Sequence, residues 1–150
     1  NKRCGLLNKV CLLFMDSVTL CFVTVVSSNT AFYRAVIGSD VILRCLFTEL
    51  PLQQSLSKIT VEWYRVDANR DRNSVYTFED GRALVKRVGA EVNQTRLLHS
   101  DASLTLRNVT VRDEGTYTCR IITPVVETVT NTLKVFGMDI LLSTPTIIQV

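Results

Sequence analysis

From residue 31 onward, apolar and polar positions alternate in short runs broken by turn-forming residues. Residues 31–36 read as a short edge strand, and Ile37-Gly38-Ser39 as a turn. Val41, Leu43 and Cys45 alternate with Ile42 and Arg44, the period of a half-buried strand. Ile59, Val61 and Trp63 alternate with Thr60, Glu62 and Tyr64 in the same way, after a loop at 48–57 that carries Pro51. Val75-Tyr76-Thr77-Phe78 follows a charged turn at 67–73 and precedes the turn Glu79-Asp80-Gly81. Residues 83–92 hold a short, irregular edge strand. Residues 95–98 and 102–106 form a pair of short strands joined near His99-Ser100-Asp101. The last strand covers about 127–135, after a loop at Thr123-Pro124. Eight or nine short strands and no amphipathic helix of useful length predict an all-β sandwich.

The strand that begins after Asp113-Glu114-Gly115 sharpens this reading. Gly115 permits a tight corner, and Tyr117 and Cys119 lie two apart, so their side chains share one face. A buried tyrosine needs a partner for its hydroxyl, here the backbone near Asp113. Cys119 reads as half of a disulfide whose other half is Cys45, with Trp63 as the ring that packs on it. This spacing is that of an immunoglobulin-like Greek-key sandwich with one inter-sheet disulfide, and the extra middle strands point to its variable-type version. Leu43, Leu106, Trp63 and Tyr117 are the predicted core. Asp113 is expected to pair across the bottom of the sandwich with Arg96, or failing that with Arg87.

Composition adds compartment. Apolar residues make up 47% of the 150, enough for a packed core, and the net charge of +3 is scattered. No basic stripe suggests nucleic-acid binding. None of the five cysteines forms a Cys-x-x-Cys pair, and His99 is the lone histidine, so no metal or cofactor site is expected. No nucleophile elbow, phosphate loop or zinc-protease helix occurs, and the chain is not expected to be an enzyme. A disulfide implies an oxidising compartment.

The N-terminal residues agree: Lys2, Arg3 and Lys9 lead into an apolar run from about 10 to 26, and Ser27-Ser28 offer a cleavage point. Residues 1–28 are read as a signal peptide. A membrane-spanning helix is the competing reading, weakened by Asp16, Ser17 and Thr19. Met15 as the start of a shorter leader remains open. Residues 29–137 are the domain, and 138–150 a linker or the start of a second, truncated immunoglobulin domain. In a secreted chain the sequons at Asn93-Gln94-Thr95 and Asn108-Val109-Thr110 are N-glycosylation sites.

If Trp63 and Cys119 face inward, Glu62, Tyr64, Thr118, Arg120 and Ile122 face outward on one sheet, with Tyr76, Val125 and Val126 extending the patch. Tyr, Ile, Val and Arg together have the composition of a partner-binding surface.

Three stretches before the corner carry a family resemblance. Gly38-Ser39-Asp40-Val41 precedes Cys45, Val61-Glu62-Trp63-Tyr64-Arg65 forms one strand, and Ala102-Ser103-Leu104-Thr105-Leu106-Arg107-Asn108-Val109-Thr110 precedes Asp113. Over about 30–137 the chain resembles the butyrophilin and T-cell costimulatory ligand family. The resemblance implies a plasma-membrane protein, displayed on the extracellular side and anchored by a segment beyond residue 150. Such a ligand would bind a protein receptor on an opposing lymphocyte and tune T-cell activation as costimulator or coinhibitor. An adhesion molecule, homophilic or heterophilic, and an immune receptor ectodomain are the alternatives. Two features depart from the family pattern. The 96–113 interval is several residues short, which counts against an Arg96–Asp113 pair. The last strand also lacks the Phe-Gly-x-Gly bulge of antigen-receptor domains.

Overall fold

The computed structural model describes residues 30–48 and 55–138, and the backbone alone of two short strands, β1 (Lys9–Leu13) and β2 (Thr19–Val23). These two pair antiparallel in a ladder separate from the other sheets. The proposed cleavage point at Ser27-Ser28 and almost all of the 138–150 segment lie outside the described residues.

Among the described residues nine strands build the sandwich: β3 (Ala31–Val36), β4 (Val41–Leu43), β5 (Thr60–Val66), β6 (Arg72–Glu79), β7 (Arg82–Val85), β8 (Ala90–Val92), β9 (Leu104–Leu106), β10 (Gly115–Thr123) and β11 (Val125–Phe136). One sheet has the order β3-β11-β10-β5-β6-β7, and the facing sheet the order β4-β9-β8. All pairs are antiparallel except β3 with β11. Apolar residues at alternate positions face each other between the layers. Leu43, Trp63, Phe78, Leu104, Leu106, Tyr117 and Cys119 are all buried there.

Cys45 and Cys119 are disulfide-bonded with their Cα atoms 6.4 Å apart, and the bond joins the two layers. Trp63 stands directly opposite Cys119 in the β5–β10 ladder, and its indole N–H donates to the Ala102 carbonyl at 2.9 Å. That bond gives a fully buried ring a partner for its single polar atom.

Strand β4 stops at Leu43, two residues before the disulfide, whereas alternation alone carried it to Cys45. The backbone past that point is paired by other means. The Cys45 N–H donates to Ser103 Oγ at 3.1 Å, and the Arg44 N–H donates to the Tyr33 hydroxyl at 3.0 Å. The Arg44 carbonyl accepts from Asn131 Nδ2 at 3.0 Å. Tyr33 and Asn131 lie on β3 and β11, so side chains of the larger sheet satisfy the backbone where the smaller sheet ends.

Two predicted elements take a different form. Residues 95–98, read as a strand, belong to a single helical turn, α1 (Gln94–Leu97). Asn93 caps it, accepting the Arg96 N–H on Oδ1 at 3.1 Å, and Leu97 drops into the core. An asparagine ahead of such a segment offers the backbone a helical start that competes with extended structure. Residues 83–92 are two strands on opposite layers, β7 and β8. The turn between them takes Gly89 to φ 81°, with the Lys86 and Arg87 N–H groups both bonded to the Val75 carbonyl.

This crossover corrects the predicted ion pair. Asp113 pairs with Arg87, not Arg96: Arg87 Nε reaches Oδ1 at 3.0 Å and Nη2 reaches Oδ2 at 2.7 Å. The same guanidinium donates to the carbonyls of Val88, Arg107 and Asn108, so it also anchors the bottom turns. Arg96, carried off on α1, has its nearest carboxylate in Asp101 at 3.9 Å. The Tyr117 hydroxyl donates to the Asp113 carbonyl at 2.7 Å. Burial, reinforced by the Asp113 charge, pushes the Tyr117 pKa up to about 12.

Burial alone would raise the pKa of Asp113. The Arg87 guanidinium and the Thr110 N–H outweigh it and hold the carboxyl below its ordinary value. A depressed carboxylate contributes stability above its unfolded pKa of about 3.9, and that contribution is lost as pH falls through the folded value. Asp113→Asn should therefore cost about 3 kcal/mol at neutral pH, as expected for opening a buried pair. The gap between variant and parent should close below about pH 4, read from thermal melts at several pH values. A gap independent of pH would assign Asp113 a packing role only.

Candidate binding face

The outward side of the larger sheet is built by register. Arg120 on β10 stands opposite Glu62 on β5, and Nη1 meets Oε2 at 3.0 Å. The next pair down is Thr118 with Tyr64, and Thr130 of β11 flanks Thr118 on its other side. Thr118 is 7% exposed although it points away from the core, because these neighbours close over it. Above Arg120, Ile122 stands between Thr60 and Val126. Val125 and Val126 are 65% and 51% exposed at the tip of the β10–β11 hairpin. Apolar side chains therefore crown a centre of paired charge.

Tyr76, expected on this face, is in the core at 2% exposure. The β5–β6 register shifts between Trp63 and Tyr64, with Trp63 opposite Tyr76 and Tyr64 opposite Ser74. Val75 is the extra residue of this bulge, so Tyr76 shares the inward side of Trp63. One inserted residue reverses the facing of the neighbouring positions, and simple alternation does not report it. Tyr76 is buried beside Glu91, and both the burial and that charge raise its pKa.

In place of Tyr76, β6 contributes Arg72, Ser74 and Thr77. Arg72 falls within the charged turn that the sequence suggests at 67–73, yet it begins β6. Its guanidinium stacks 3.7 Å from the centroid of the Tyr64 ring, an arrangement that orders both side chains. Thr77 stands opposite Glu62, and Leu84 of β7, 54% exposed, stands opposite Thr77. Strand β11 adds Thr128 and Thr130 at alternate positions. Of the residues predicted for the face, Glu62, Tyr64, Arg120, Ile122 and Val126 are brought together. Alternation also places Thr118 here, whereas Thr77, Thr128 and Thr130 emerge only from the register.

Both sequon asparagines are exposed. Asn93 is the cap of α1, and Asn108 lies at the opposite turn with φ 51°, its N–H donating to Asp40 Oδ1 at 2.9 Å. Among the described residues no group of three or more His, Cys, Asp or Glu side chains could hold a metal ion.

A sandwich of this topology with a cross-layer disulfide matches known proteins in sequence and in shape. The profile of the immunoglobulin V-set domain matches residues 29–137. Tapasin-related protein of Mus musculus is 38% identical over 99 residues, which are 65% of this chain and 21% of that protein. The Homo sapiens counterpart is 36% identical over 99 residues, 65% of this chain and 20% of its own length. The chain thus spans about a fifth of the length of these curated relatives. The IgV-like domain of human B7-H4 superposes with a TM-score of 0.58 at 28% identity, covering 72% of this chain and 92% of that domain. A chain from a complex of ICOS with ICOS-L and an anti-ICOS-L VNAR domain gives 0.59 at 25% identity, covering 72% and 55%. This chain belongs to the immunoglobulin V-set domain family.

Proposed function

We propose that this domain is the receptor-binding module of a cell-surface immune ligand. It binds a protein receptor on an opposing lymphocyte and regulates T-cell activation as a costimulator or coinhibitor. The observation that carries this reading is the outward face of β5, β10 and β11. There the Glu62–Arg120 pair and the stack of Tyr64 with Arg72 of β6 lie beside half-buried Ile122 and exposed Val125 and Val126. Prepaired charges cost little to order on binding, and an aromatic with an arginine is the usual make-up of an energetic centre. The resemblance to costimulatory ligands and the likeness to the B7-H4 domain support the same reading. A secretory leader, N-linked glycans at Asn93 and Asn108, and a membrane anchor beyond residue 150 belong to it.

The higher identity to tapasin-related proteins favours a second reading, in which the domain is one module of a longer protein of that kind. Binding of the soluble, glycosylated domain to resting and activated T cells separates the two. Saturable binding is the result expected of a ligand. A folded preparation that binds no lymphocyte, with a reading frame that continues to match those relatives, supports the second.

A further inference from the structure

Six strands lie over three, and the mismatch leaves one flank of the sandwich open. The smaller sheet ends at β8, while β7 is the edge of the larger one. Ala83 and Val85 of β7 stand opposite Phe78 and Tyr76 and so point to the inner side. Phe78 and Tyr76 are covered, but Ala83 is exposed and Val85 is 47% exposed, because no strand of the smaller sheet lies beneath them. The result is a shallow groove with Ala83 and Val85 on one wall, Asn93 and Thr95 on another, and Glu91 also in its lining.

All four residues of β7 are exposed, and among the described residues one side of its backbone has no strand partner. An open edge of this kind is a template for pairing with another chain unless it is blunted by charge, proline, a bulge or a cover. Strand β7 has no proline, and its ladder with β6 runs without a bulge. Arg82 is its one charge. A cover is at hand, because the acceptor of the Asn93-Gln94-Thr95 sequon forms the wall of the groove facing β7. Asn93 and Thr95 are both exposed. The α1 cap uses only Asn93 Oδ1, and the nitrogen that takes a sugar is not part of that bond. The amide keeps its carbonyl oxygen after modification, so cap and glycan are compatible.

We propose that Asn93 carries an N-linked glycan whose first sugar lies in this groove and shields the β7 edge, leaving the outward β5–β10–β11 face as the free docking surface. The glycan comes from a polyprenyl-diphosphate-linked oligosaccharide. Asn93 Nδ2 bonds to the anomeric carbon and gives up one proton. The anomeric C–O bond breaks, and the lipid diphosphate leaves with the electron pair. The N-acetyl methyl and the apolar ring face of the sugar match Ala83 and Val85, while its hydroxyls remain in water. The free outward face rests on the function proposed above, whereas shielding of β7 by the Asn93 glycan stands without it.

The test uses the full chain secreted from mammalian cells with Asn108→Asp, which removes the second sequon and keeps a residue that tolerates positive φ. Peptide mapping should find Asn93 modified. Enzymatic removal of the glycan from the folded protein converts Asn93 to aspartate, which also caps helices, so α1 is retained. Sedimentation at tens of micromolar should then show a several-fold rise in the self-associated fraction. Val85→Lys, at an exposed position, should return the deglycosylated protein to monomer. The proposal is overturned by an unmodified Asn93 in folded secreted protein, by an unchanged monomer fraction, or by association that Val85→Lys does not relieve.

Discussion

Trp63→Ala should destabilise the domain by about 3–5 kcal/mol, the range for emptying a large aromatic site in a core. The ring is fully buried, faces Cys119 across the ladder, and supplies the donor to the Ala102 carbonyl. Removing it leaves a cavity at the disulfide and a buried acceptor without its partner. Trp63→Phe separates the two losses. It keeps most of the volume and should cost about 1–3 kcal/mol, the penalty of an orphaned buried acceptor. Denaturant melts at constant slope measure both. A loss below about 1 kcal/mol for Trp63→Ala would mean that the two layers close over the site without the ring.

Replacing both cysteines, as Cys45→Ala with Cys119→Ala, should cost a similar amount. The bond closes a loop spanning a sequence separation of 74. On the chain-entropy account its removal frees the unfolded chain by about 4.5 kcal/mol. For a domain of this size that corresponds to a fall in Tm of roughly 15–20 °C. Trp63 and Cys119 are direct cross-strand neighbours, so the two sets of substitutions should not add. The triple variant should lose less than the sum. Strict additivity would show that ring and disulfide stabilise the fold independently.

Much of this scaffold is legible in the chain. Period-two alternation locates β5 and β10, and the spacing of Cys45, Trp63 and Cys119 identifies the layers they join. The Tyr117 corner follows from one polar tip needing one acceptor. What alternation does not carry is any event that changes its phase. The bulge at Val75 sends Tyr76 inward and brings Arg72 to the face. The Asn93 cap turns a strand-like stretch into α1, and the β7–β8 crossover delivers Arg87 to Asp113 in place of Arg96. Each is settled by contacts between distant parts of the chain. The early stop of β4 is of the same kind, since Tyr33 and Asn131 make it tolerable from the other sheet. Which side chains face outward is thus legible on β5 and β10, whose phase is unbroken, and not on β6, which carries the bulge.

The central claim is that the outward β5–β10–β11 face docks a protein partner. The most direct measurement is the affinity of the domain for lymphocytes that bind it, compared across face variants and one control. Tyr64→Ala and Arg120→Ala should each weaken binding about tenfold or more, equal to about 1.4 kcal/mol, with no change in Tm. Ile42→Ser, at an exposed position on the opposite sheet, should bind like the parent. Unchanged affinity in both face variants, or a loss confined to Ile42→Ser, would contradict the account.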